Sequence, residues 1–171
     1  MTYAALQHGD DVRAVGFQAT INTTFTRPAD TTAYAAGDAV SNSTSSPSIL
    51  SFAGAARAAG GSGMILSALH TKNSTTAASY RLWLYRETVA AVADNAQFPL
   101  LWANRANRIG FIDFAHTTGG TGSDSSSSLV TFVNLPFSLV GTALFGQLTT
   151  PSGNTPASGE QHFVELTLSQ N

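Results

Sequence analysis

The sequence predicts an all-β fold, a sandwich or a barrel built from about eight strands. Apolar and polar residues alternate with a period of two along several short segments, as they do in half-buried strands. Clusters of glycine, proline, serine and asparagine separate these segments, and no sustained helical period occurs. A chain of 171 residues is long enough for one domain with a sizeable core.

Eight segments carry the strand pattern. Within residues 79–86, the even-numbered positions from 80 to 84 hold tyrosine and leucine, whereas Arg81, Trp83 and Tyr85 share the opposite face. Two substantial faces suit a strand that has the core on one side and a partner on the other. The eight predicted strands are residues 12–21, 48–52, 64–71, 79–86, 110–114, 129–133, 142–148 and 164–168.

The remaining segments predict loops, turns and one arm. Residues 53–59 allow a helical turn, and the alanine-rich residues 88–93 allow a short helix. The small polar segments 41–46 and 123–128 predict mobile loops. Residues 1–11 lack a strand pattern and a signal-peptide pattern, so we expect an N-terminal arm that packs on a neighbour, followed by a single domain over residues 12–171.

Charge is scarce throughout the chain. Only 11% of the residues are charged, against about 25% in an average soluble domain, and Lys72 is the one lysine. A free monomer normally keeps itself soluble with interspersed charged side chains. We therefore expect much of the surface to be covered by other protein, in a homo-oligomer or a larger assembly.

The same composition argues against several classes of partner and site. The net charge is −2 without a basic run, which predicts no nucleic-acid partner. No apolar stretch reaches the roughly 20 residues that cross a bilayer. The sequence also contains no amphipathic helix that would indicate binding to a membrane surface. The chain has no cysteine, so it forms no disulfide and no thiolate metal site.

No motif predicts catalysis, a cofactor or a metal. His8, His70, His116 and His162 include no pair at metal-ligand spacing, so we expect satisfied or solvent-facing rings. A glycosidase would need two carboxylates across a cleft, and the candidates are the aspartates at 38, 94 and 113. Turn capping explains the first two better. No nucleophile elbow occurs, and the glycine-rich residues 60–63 predict a flexible loop.

Aromatic side chains offer one binding alternative. Trp83, Tyr85, Phe98 and Trp102 could form a platform on which sugar rings stack, and a carbohydrate-binding module is an alternative for a β-sandwich of this size. We favour the other interpretation, in which Trp83 and Trp102 fill the core or an oligomer interface.

Most of the chain resembles one known family. The segments that carry the resemblance are YAAGDAVS (34–41), FAGAARAAGGSG (52–63), YRLWLY (80–85), ADNAQFPLL (93–101) and NRANRIGFIDF (104–114). Residues 34–168 resemble small virion structural proteins of tailed bacteriophages, and among these the capsid decoration or cement proteins. The resemblance implies an antiparallel β-sandwich of the jelly-roll kind and supplies no catalytic residues.

The resemblance also implies a location and partners. A protein of this kind is made in the bacterial cytoplasm and lies on the outer capsid surface, where it bridges subunits of the major capsid protein. We expect it to act as a homo-oligomer, with a trimer favoured over a dimer because a three-fold ring buries further surface. The predicted partner contacts are Tyr3, Leu6, Trp83, Tyr85 and Trp102. The alternative is a host-recognition module that binds surface glycan from a tail fibre or capsid.

Overall fold

The structure is a computed structural model that describes residues 17–117 and 123–171. Within these residues the chain forms nine strands and one short 3₁₀ helix, Trp102–Asn104. The strands are β1 (Phe17–Thr26), β2 (Ala39–Val40), β3 (Leu50–Phe52), β4 (Ser62–Lys72), β5 (Ala78–Tyr85), β6 (Arg108–His116), β7 (Ser126–Ser138), β8 (Leu144–Thr149) and β9 (Gln161–Gln170).

The strands form two antiparallel sheets. One sheet has the order β1-β9-β4-β7, and the other has the order β2-β8-β5-β6, with β3 also paired to β8. β1 pairs with β9, β2 and β3 pair with β8, β4 pairs with β7, and β5 pairs with β6. These pairs are nested like the two arms of one long hairpin, which is how a jelly roll is wrapped. The predicted antiparallel β-sandwich is confirmed.

Strand alternation places the apolar core between the sheets. Val164, Leu166 and Leu168 of β9 are fully buried and belong to the same hydrophobic cluster as Leu82 of β5. Gly146 of β8 has no room for a side chain, because an added Cβ would lie 2.9 Å from the Leu82 Cδ1 atom. Because Gly146 has no side chain, the core side chain of Leu82 on the neighbouring strand can lie directly against the β8 backbone.

Each of the eight predicted strands overlaps a strand of the structure, and the differences lie between them. β2 was not predicted because it has two residues and follows a turn directly. Residues 53–59 form turns and bends and residues 88–93 form no regular element, so both helical alternatives are wrong. The loop predicted over residues 123–128 ends early because β7 begins at Ser126. Residues 1–11, the predicted arm, lie outside the described residues.

Helices contribute little to the described part of the chain. In residues 17–117 and 123–171, no helix has the length and apolar character that crossing a membrane requires.

Candidate functional site

Most of the exposed large apolar side chains belong to two neighbouring edge strands or to the connection that enters one of them. Nine are exposed among the described residues, and six of them belong to β6, to β7 or to the connection that enters β6. β6 and β7 are edge strands of the two sheets and lie next to each other. The exposed apolar residues of this β6–β7 side are Leu100, Leu101, Trp102, Phe111, Leu129 and Phe132.

A bulge in β7 makes Phe132 the most exposed of these side chains. The pairing with β4 passes from Ile65–Leu135 to Ser67–Thr131, so three residues of β7 stand opposite one residue of β4. Phe132 has a φ of 57°, and its side chain is 86% exposed. A bulky residue rarely adopts this left-handed conformation, and such strain is concentrated at functional positions. The bulge holds an aromatic ring in solvent at a conformational cost.

The outer faces of β5 and β6 carry an aromatic–arginine cluster of Arg81, Trp83, Phe98, Phe111 and Asp113. The Trp83 ring stacks on Phe98 with centroids 5.9 Å apart and meets Phe111 at 5.1 Å. The Arg81 guanidinium lies 3.9 Å from the Phe111 ring centroid and donates two hydrogen bonds, of 2.7 and 2.8 Å, to Asp113. The ion pair therefore orients an arginine that stacks on an aromatic ring.

The predicted contact residues have different environments. Trp102 is 77% exposed, with the Arg105 guanidinium 4.6 Å from its ring, whereas Trp83 is partly exposed within the aromatic–arginine cluster. Tyr85 was predicted to face a partner, but it is only 2% exposed. It lies beside Val89, Val92 and Pro99, because the connection that follows β5 folds back over it. Tyr3 and Leu6 lie outside the described residues.

The three aspartates that sequence analysis considered for catalysis have separate partners. Asp38 accepts a 2.6 Å hydrogen bond from the Ala35 N–H, as expected for turn capping. Asp94 is not a turn cap, because it is buried and accepts hydrogen bonds from Arg27 at 3.0 Å and Tyr34 at 2.6 Å. Asp113 is bound to Arg81 on the surface. These contacts do not form the paired carboxylates that a glycosidase uses.

Three of the four histidines, His70, His116 and His162, form a buried chain in which neighbouring rings are hydrogen-bonded, as expected for satisfied histidines. Nδ1 of His116 lies 3.1 Å from the Ser126 hydroxyl, and Nε2 of His116 lies 2.9 Å from Nδ1 of His70. Nε2 of His70 then lies 3.0 Å from Nδ1 of His162. Ser126 completes one end by donating a 2.8 Å hydrogen bond to the Ser74 carbonyl.

Glu160 lies at the other end of this histidine chain. Its Oε1 atom is 3.3 Å from Nε2 of His162, which is buried and makes no hydrogen bond. Tyr80 also donates to Oε1 at 3.2 Å, while Lys72 lies 3.4 Å from Oε2 and Ser74 donates to the same oxygen. All the charged groups here are buried, so a charge without a partner would be costly.

Burial and neighbouring charges shift the pKa values of this network. Burial lowers the pKa of His162, partly opposed by Glu160. Burial, followed by the other two rings, lowers the pKa of His70 well below its usual range, and burial lowers that of His116 to about 4. The pKa of Glu160 is lowered despite its burial, because His162, when Nε2 carries a proton, and then Ser74 and Lys72 favour the carboxylate. At neutral pH the three rings are neutral and Glu160 is ionised.

The ring nitrogens of the histidine chain do not have the arrangement of metal ligands. They bond to one another in a line and do not converge on one point. Among residues 17–117 and 123–171, no group of three or more histidine, aspartate or glutamate side chains has the arrangement that would hold a metal ion. The chain was missed because its members lie far apart in sequence and meet only when the two sheets pack.

Comparisons with known proteins add no identification. No family model matches the chain, and no curated protein is significantly similar to it.

Proposed function

We propose that the chain is a non-enzymatic capsid decoration protein that binds the outer surface of a tailed-phage capsid and bridges subunits of the major capsid protein. The observation that carries the proposal is the β6–β7 side, where six large apolar side chains are exposed on a chain with few charges. Exposed apolar surface of this kind is typical of a contact with protein. The resemblance of residues 34–168 to phage virion proteins supplies the identity of the partner.

The physical chemistry of the surface suits a role as a clamp. A protein that binds assembled shells but not loose subunits stabilises the shell by mass action. Such a clamp needs contact area, complementary shape and many copies, and it needs no reactive group. Few charged residues limit the cost of desolvating a large contact, and aromatic and arginine side chains are enriched at the centres of interfaces. Trp102 with Arg105, and Phe111 with Arg81, have this composition.

The experiment adds purified protein to expanded shells that lack it. Co-sedimentation measures binding, and the temperature at which the shells rupture measures stabilisation. We expect the protein to bind and to raise the rupture temperature. Trp102→Ala should weaken both effects, whereas Phe17→Ala should leave them unchanged. Phe17 provides the matched control, because it is also an exposed aromatic residue but lies on β1, at the opposite edge of the sheet from β7. Failure of the wild-type protein to bind the shells would refute the proposal.

The aromatic–arginine cluster favours a second candidate function, recognition of a host-surface glycan. A groove of about 190 Å³ beside Trp83 and Phe98 is also lined by Arg81, Gln97 and Thr149. Aromatic rings with a few polar groups are the usual composition of a sugar site. However, Arg81 and Arg108 both approach the Trp83 ring, at 5.5 and 5.9 Å, and compete for the surface on which a sugar would stack.

A glycan array separates the two candidates. Under the glycan hypothesis, the wild-type protein gives a signal that Trp83→Ala abolishes and Trp102→Ala retains. An array without signal, together with binding to shells, supports the decoration role. Signal without shell binding supports the glycan role.

A further inference from the structure

The histidine chain joins two groups that can only accept hydrogen bonds. The Ser74 carbonyl is one end and the Glu160 carboxylate is the other. Between them lie four groups, Ser126 and three histidine rings, connected through five contacts of 2.8 to 3.3 Å. Each hydrogen bond requires one proton. A serine hydroxyl and three neutral imidazoles supply four protons, so one contact must lack a proton.

The geometry shows where the proton is missing. Ser126 donates to the Ser74 carbonyl, so its oxygen must accept from Nδ1–H of His116. Nε2 of His116 then accepts from Nδ1–H of His70, and Nε2 of His70 accepts from Nδ1–H of His162. This order leaves a lone pair on Nε2 of His162, opposite Glu160. The same nitrogen is one of five buried side-chain atoms among the described residues that have no hydrogen-bond partner.

We propose that the histidine chain is a binding site for one proton, which is taken up at Nε2 of His162 and forms an ion pair with the Glu160 carboxylate 3.3 Å away. Binding is written as the addition of H⁺ from solvent to the His162 lone pair, which forms an N–H bond and an imidazolium without breaking another link. The proposal is independent of the function of the surface.

The surroundings favour His162 over the other two rings. Among the described residues, Glu160 is the one carboxylate in direct contact with the chain, and it lies beside His162. Opposing charge comes from Lys72 of β4, which is paired with Glu160, and from Arg27 after β1, which is paired with Asp94. The remaining groups that face the chain are uncharged at neutral pH: Tyr80 of β5, Ser126 of β7, Ser74 after β4, Phe114 of β6 and Phe25 of β1.

A second proton cannot be accommodated in the same way. Each contact between two rings, at 2.9 and 3.0 Å, needs a lone pair on one of its nitrogens. Two imidazolium rings would put two N–H groups face to face or eject the Ser126 hydroxyl, and would place like charges side by side. The site is therefore limited to a single proton. A further fall in pH should disrupt the contacts between the rings at this end of the sandwich. The chain links β4 and β9 of one sheet with β6 of the other, so this disruption separates the sheets here.

Nitrogen-15 NMR of the histidine rings tests the proposal on the wild-type protein. At pH 7 we expect His70, His116 and His162 to be neutral with the proton on Nδ1. As the pH falls, His162 should become an imidazolium while the other two rings stay neutral until the protein unfolds. The proposal is overturned if His162 carries its proton on Nε2 at pH 7. It is also overturned if two buried rings are cationic in the folded protein, or if no buried ring is.

A double variant provides a second test. In Lys72→Met/Glu160→Gln both charges are removed, and the glutamine amide can donate to the His162 lone pair, so the chain is complete without an added proton. Potentiometric titration between pH 7 and the onset of acid unfolding should show that this variant takes up one proton fewer than the wild type. Arg81→Met/Asp113→Asn removes a surface pair of the same charges and should match the wild type at pH values above the range in which exposed aspartates take up protons. Equal uptake by all three folded proteins would contradict the proposal.

Discussion

Replacing Phe132 by glycine should separate stability from binding. The left-handed backbone at Phe132, with φ at 57°, costs about 1–2 kcal/mol relative to a glycine. Glycine lowers the free energy of unfolding by about 0.5–1 kcal/mol, because it increases the conformational freedom of the unfolded chain. The lost burial is small, because the side chain is 86% exposed. About one-seventh of the roughly 1.5–3 kcal/mol for full burial amounts to about 0.2–0.4 kcal/mol.

The expected result is therefore an unchanged or slightly higher stability. The three terms together change the free energy of unfolding by between about −0.4 and +1.3 kcal/mol, which corresponds to at most about 5 °C in Tm for a domain of this size. If the Phe132 ring anchors the contact with the capsid, its loss costs about 2 kcal/mol or more of binding, which weakens shell binding by about 30-fold.

Thermal unfolding and co-sedimentation with shells measure the two effects. Asn134→Gly is the matched control, because Asn134 lies in the same bulge with φ at 49° and lacks an aromatic ring. The control should leave shell binding unchanged. A loss of more than about 2 kcal/mol in stability for Phe132→Gly would refute the argument that the ring is unsupported, and unchanged binding would refute its role as an anchor.

The remaining predictions concern the interior and its response to acid. Asp94→Asn should lower the free energy of unfolding by about 3–5 kcal/mol in urea, because it breaks the buried pair with Arg27. Asp113→Asn, in an exposed pair, should cost less than about 1 kcal/mol, and equal losses would contradict the assignment. Gly63→Ala should lower Tm by several degrees, because the added Cβ meets the Ser169 carbonyl and the Phe137 ring; an unchanged Tm would be inconsistent with this packing. Stability should fall as the pH drops from about 6.5 towards 4. The unfolded histidines bind protons in this range while the buried rings resist, by up to about 1.4 kcal/mol per pH unit for each ring that stays neutral in the folded protein, and a flat urea-unfolding profile would contradict the burial of the chain.

The sandwich was predictable because its signal is local. Alternation in residues 164–168 and 79–86 is visible in single segments, and each segment became a strand with the expected inward face. The nested pairing was not deducible from the period, because it depends on which distant strands meet. The outward orientation of Tyr85 was also deducible, but its burial required the connection after β5 to fold over it.

The histidine chain was only partly encoded in local patterns. His162 continues the inward series of Val164 and Leu166 in β9, and His116 continues that of Phe114 in β6. Extending these strands by one or two residues would have placed both rings in the interior. His70 was harder to assign, because a bulge between Ile65 and Ser67 changes the parity of β4. Bulges of this kind also expose Phe132, and no residue type in the sequence marks them.

A cryo-electron microscopy map of expanded shells mixed with the purified protein most directly tests whether the β6–β7 side is covered by capsid protein. The account predicts density for this sandwich on the outer shell surface, with Trp102, Phe111 and Phe132 against subunits of the shell. Density confined to the tail, or a sandwich bound to the shell with these three side chains facing solvent, would contradict it.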